Sequence, residues 1–135
     1  MYQKILIPIS FDEERDTDRP VRLARLLAAP DAKVTLLHVI EHLPNYALSY
    51  MPPEFREESR ARTQAALDEI AQGLPSAEAI LIEGHSGRSI LDWAKQHEPD
   101  LIIIASHRPG MQDLLLGSTA TQVVRNAQCA VHVIR

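Results

Sequence analysis

Four consecutive large apolar residues, Leu101-Ile-Ile-Ile104, constrain this chain more than any other stretch. A strand with one wet face alternates apolar and polar residues. An unbroken run needs cover on both faces, which points to a parallel strand inside an α/β sheet. From this strand the chain passes through a loop to Gly117-Ser118, where a helix is expected to open. Gly117 has no Cβ to hold a ligand off, Ser118 offers a hydroxyl, and the first amides of a helix carry the positive end of its dipole. Strand, loop and helix start in that order form a candidate anion site. The alternative is a plain helix start, for which serine is a preferred N-cap.

The remaining chain repeats the theme. Five short strand-like runs, over 3–9, 33–40, 79–83, 101–104 and 130–135, alternate with four helical ones, the pattern of right-handed βαβ units around a parallel sheet. The first helix is expected to start at an Asp18 N-cap with Pro20 in its first turn. It puts Val21, Ala24, Leu27 and Ala28 on one face and is ended by Pro30. The second covers 54–72, capped by Gly73; the third runs from Ser89 to His97, ended by Pro99, with Ile90 and Ala94 toward the sheet. In the fourth, Ala120, Val123, Val124 and Ala127 form an apolar stripe. The proline-rich stretch 41–53 reads as a loop. These 135 residues suit one domain with a doubly wound sheet, in which ligands bind beyond the carboxyl ends of the strands. If the first and fourth strands are neighbours, the loops after Ile9 and Ala105 face one crevice, with the loop after Val39 at its side.

Composition narrows the partners. Hydrophobic residues make up 45% of the chain and aromatic ones only 4%, so the core is built from Val, Ile, Leu and Ala, and little stacking surface is left for nucleic acid. A net charge of −4 argues against broad attraction to nucleic acid or anionic membranes. The single cysteine, Cys129, permits no internal disulfide and reads as a buried, inert thiol. The chain enters its first strand without a signal-peptide pattern, and no apolar run approaches the roughly 20 residues that cross a bilayer. A cytoplasmic protein is expected. Six histidines show no metal spacing; His38 reads as packed or hydrogen-bonded in the sheet, and His107 has no nucleophile in a recognisable frame. The last strand lacks edge protection apart from Arg135, which suggests pairing with a second copy of the chain.

Lys4-Ile-Leu-Ile-Pro8, Val34-Thr-Leu-Leu-His-Val39, Glu83-Gly84, Leu114-Leu-Leu-Gly-Ser118 and Cys129-Ala-Val-His-Val133, in this order and spacing, resemble the universal stress proteins over essentially the whole length. The form Ala105-Ser-His-Arg-Pro109 is similar to the enterobacterial F- and G-type branch. The resemblance implies an adenine nucleotide alpha hydrolase-like fold with sheet order 3-2-1-4-5 and a homodimer. It also implies ATP at the switch point, with any magnesium carried by the nucleotide, and a sensor or regulatory role with at most slow hydrolysis; the alternative is a nucleotide-free dimeric interaction protein of the same family. Carried over by position, Pro8 and Ile9 form the floor, Val39 offers backbone groups to the adenine, and Gly117, Ser118 and Thr119 meet the phosphates, flanked by His107 and Arg108. The chain departs from the family pattern G-x2-G-x9-G-[ST]. Ala105 and Arg108 stand where the first two glycines would, and the second interval is one residue short. Ser10 stands where an aspartate usually meets the ribose, with Asp12 two residues on. An arginine at 108 can offer phosphate a charged fork in place of close backbone approach.

Overall fold

A computed structural model of the chain describes residues 1–11, 16–42, 44–106 and 116–135. Its elements are β1 (Tyr2–Pro8), α1 (Asp18–Leu27), β2 (Ala28–Ile40), α2 (Asn45–Leu48), α3 (Pro53–Ala71), β3 (Ala77–Glu83), α4 (Ser86–His97), β4 (Leu101–Ala105), α5 (Ser118–Asn126) and β5 (Ala130–Ile134). The five strands form one parallel sheet in the order β3-β2-β1-β4-β5. This is the architecture and strand order expected.

The apolar run of β4 behaves as its composition requires. Leu101 to Ile104 are each at most 4% exposed and divide between the two faces of the sheet. Leu101 and Ile103 join Ile5, Ile7, Leu36 and the α1 residues Val21 and Ala24; Ile102 and Ile104 join Leu6, Leu37, Ile90 of α4 and the α5 residues Ala120 and Val123. The crossover after β1 therefore lies on one face and the helix after β4 on the other. Between them the loops part, as at any switch point of a doubly wound sheet.

Several boundaries differ from the sequence expectation. Pro30 does not end α1: the helix stops at Leu27 and β2 starts at once, with a register shift between Tyr2↔Ala28 and Lys4↔Lys33 that absorbs the proline where no ladder N–H is needed. Asp18 is the first helical residue rather than the cap; Asp16 Oδ1 accepts the Asp18 amide at 2.8 Å in its stead. The stretch 41–53 holds a one-turn helix, because Pro44 and Pro52 precede helices, where a missing N–H costs nothing. Gly73 has no left-handed backbone; α3 closes through tightened turns, with Gly73 N donating to Ile70 O at 3.1 Å. Val124 is 43% exposed, since α5 covers the last strand of the sheet and no described element lies beyond β5. Ile90 and Ala94 do pack on the sheet, as expected. Among the described residues no helix is long and apolar enough to cross a membrane.

Candidate functional site

The parting of the loops leaves a cavity of about 630 Å³ at the carboxyl ends of β1, β2 and β4, within the roughly 300–1,000 Å³ usual for small-molecule sites. Pro8, Ile9, Ser10, Val39, Ala105, Gly117, Ser118 and Thr119 all line it. Residues 107–115 fall outside the described residues, and with them His107 and Arg108.

Three strand ends shape its walls. On the first, Ile9 N donates to Leu37 O at 2.8 Å, the last rung between β1 and β2. Peptide groups along a parallel strand turn alternately to the two neighbours. Val39, two residues beyond Leu37, therefore directs its N–H and carbonyl to the side that β1 has vacated, a donor and an acceptor facing the cavity. Sequence reasoning placed the loop after Val39 beside the crevice but gave its backbone groups a role only through resemblance; the register supplies the physical cause.

The second wall is held by a residue that sequence reasoning treated as structural. His38 Nδ1 lies 2.7 Å from Ile9 O, and because a carbonyl only accepts, Nδ1 carries the hydrogen. The bond fixes the chain just ahead of Ser10. Phe11 meets the His38 ring edge-on, with centroids 4.9 Å apart. Further round the rim Ser86 Oγ donates to Glu41 Oε1 at 2.8 Å, tying the start of α4 to the end of β2.

The third wall is the step from β4 to α5. Ser106 N continues the ladder to Ile134 O at 2.8 Å, and Ser106 Oγ accepts the Gly117 amide at 3.0 Å. Gly117, not Ser118, is the N-cap of α5, and no side chain caps this helix. Ser118 is therefore not the plain capping serine of the alternative reading. The amides of Ser118 and Thr119, in the first turn, have no acceptor within the helix and stand at its positive end. Among the described lining residues the full charges are the carboxylates of Asp16 and Glu41, so a field that favours an anion would have to come from backbone dipoles. Ser106, Phe11, Asp16, His38, Glu41 and Ser86 were not foreseen as lining residues. Only the bare presence of a serine beside the β4 run hinted at Ser106.

Away from the cavity, Cys129 is half-buried; burial raises its thiol, with the Asp100 charge adding to the effect, which disfavours the reactive thiolate. The thiol is thus less buried than the sequence led one to expect.

The profile described as the Universal stress protein family matches residues 1–135. Universal stress protein A homolog 2 of Coxiella burnetii is 35% identical over 144 residues, covering 99% of this chain and 95% of the relative. Universal stress protein G of Salmonella typhimurium is 28% identical over 143 residues, covering 100% of both, consistent with the branch suggested by the 105–109 segment. Among solved structures, a universal stress protein from Archaeoglobus fulgidus in complex with dAMP matches with a TM-score of 0.66 at 20% identity, covering 99% of this chain and 98% of that one.

Proposed function

The chain belongs to the universal stress protein family, and we propose that it binds an adenine nucleotide, ATP in the first instance, in the crevice between β1 and β4. It would act in the cytoplasm as a homodimeric sensor or regulatory module. The observation that carries this reading is the pairing, in one cavity, of Val39's outward-turned peptide group with the first-turn amides of α5. The first offers a donor and an acceptor to the edge of a base; the second offers donors to a phosphate. That the Archaeoglobus fulgidus relative is solved with dAMP supports the ligand class.

In this reading Pro8 and Ile9 form the floor under the base, Ser10 contacts the ribose, and Ala105, Gly117, Ser118 and Thr119 surround the phosphates. His107 and Arg108 flank them, as the resemblance implies. The homodimer would form through β5, whose outer edge is the end of the sheet among the described residues.

Denaturing the purified protein and identifying the released nucleotide tests the first half, together with calorimetric titration with ATP and AMP. Adenine nucleotide should be recovered or bind with measurable heat; no binding of either at roughly millimolar concentration overturns the reading. Sedimentation of the wild type against Val133→Asp, a charge placed on the β5 strand, tests the second: a dimer that becomes a monomer supports the edge pairing.

A further inference from the structure

Two polar side chains are buried among the described residues, Thr35 and Ser106, and only Ser106 lies in the cavity wall. It is 4% exposed, and its place is fixed by its own amide, which bonds to Ile134 O at 2.8 Å. Its hydroxyl oxygen takes the Gly117 amide at 3.0 Å. This bond closes the two ends of the intervening segment on each other. It also removes Gly117 N–H from the set of donors that can reach a ligand.

A serine oxygen that accepts one N–H still has a hydrogen to give. Among the described residues no acceptor for that hydrogen is found; at a nearly buried position this is unfavourable, and an anion seated against the first turn of α5 would provide one. Resting on the adenine-nucleotide reading above, we infer that Ser106 is a positioning residue that also contacts the phosphate. It anchors Gly117 to the end of β4 and donates its own hydroxyl hydrogen to a phosphate oxygen, replacing the amide it has engaged. Ser106 thereby separates recognition of the phosphate from recognition of the nucleoside.

The separation can be measured. Titrate wild type, Ser106→Ala and Ser106→Thr with AMP and with adenosine, which lacks the phosphate. Loss of a hydrogen bond to a charged group should weaken AMP on the order of tenfold to a hundredfold in Ser106→Ala. Adenosine should bind as in wild type, and Ser106→Thr, which keeps the hydroxyl, should recover most of the AMP affinity. Unchanged adenosine binding also certifies that the alanine variant is folded; if it is not folded, Ser106→Cys, a weak donor of similar shape, must show the same split. Equal losses for both ligands, or no loss for either, overturn the inference. Failure of wild type to bind AMP or adenosine would instead strike the adenine-nucleotide reading itself. Amide exchange then judges the anchor: Gly117 should exchange faster in Ser106→Ala than in wild type, and equal rates would discard that part too.

Discussion

Strand β4 is flanked by two polar residues that do the same thing for opposite ends. Before it, Asp100 accepts the amides of Gln3 and Lys4 at 2.8 and 2.9 Å, while its own amide bonds to Lys4 O at 2.9 Å. After it, Ser106 accepts the amide of Gly117. Each side chain captures backbone donors that the sheet leaves unpaired. At the Asp100 end the partners belong to the neighbouring strand, so the result is a clip between β1 and β4. At the Ser106 end the neighbours have diverged to opposite faces, and the captured amide stands on the wall of a cavity. The same bonding thus ties strand to strand where crossovers have not yet separated the chain, and forms part of a cavity wall where they have.

This contrast is most sharply tested at Gly117. Its φ of −62° suits any residue, and an added Cβ would stand 3.8 Å from Ser106 O and 3.9 Å from Ser106 Oγ, ordinary contacts. Among the described residues nothing requires glycine there. Gly117→Val is expected to keep stability within about 1 kcal/mol, yet to weaken AMP or ATP on the order of a hundredfold, about 2.7 kcal/mol. Urea unfolding and calorimetry read the two effects separately, and a large stability loss would erase the proposed division of labour.

At the other end the effects should reverse. Asp100→Ala removes a carboxylate that accepts two amides and should cost about 2 kcal/mol of stability, with nucleotide affinity of the folded protein unchanged. The clip also has a pH signature. Burial pushes the Asp100 carboxyl up, but the amides of Gln3 and Lys4, with its own, outweigh this and hold it below its ordinary 3.8. A depressed folded value means that the stabilisation is complete above the unfolded value and is lost as pH falls through the folded one. The wild-type urea midpoint should therefore decline below about pH 4, and Asp100→Asn should have a shallower decline. Equal acid limbs would show the clip to be inert.

The smallest effect is expected where the two functions overlap. His38 belongs to the sheet yet holds Ile9 O beside the cavity. His38→Ala should cost about 1 kcal/mol of stability through the lost hydrogen bond and weaken nucleotide several-fold through a looser Ser10. If only stability falls, His38 belongs with Asp100.

Much of the fold could be read from local pattern. The uninterrupted Leu101-Ile104 run requires cover on both faces, and it has that cover; the stripe through Ala120 and Val123 does reach the core. The misreadings share a cause. Pro30, Pro44 and Pro52 look like punctuation in the sequence, but a proline interrupts an element only where its N–H is needed, and that depends on register and on the position within a turn. Val124 obeys helical periodicity and is still exposed, because periodicity fixes a direction and not whether anything lies there. At the site, the helix entrance at Gly117-Ser118 was legible, but that Gly117 and not Ser118 is the N-cap was not, since which residue is the cap depends on where the first helical turn closes.

The sequence by itself determined the alternation of strands and helices, the doubly covered β4, the helix entrance at Gly117-Ser118 and the family resemblance. The first three follow from backbone geometry within a few residues, which repeats and so leaves a periodic trace; the resemblance rests on the order and spacing of motifs along the whole chain. Only the tertiary structure decided that Asp100 clips Gln3 and Lys4, 97 and 96 residues away. The same holds for the bond between His38 and Ile9 across 29 residues and for the Gly117 amide taken by Ser106 from 11 residues away. Each of these bonds depends on where two elements end relative to one another. That alignment is set by packing of the whole sheet, to a fraction of an ångström, and no local pattern records it.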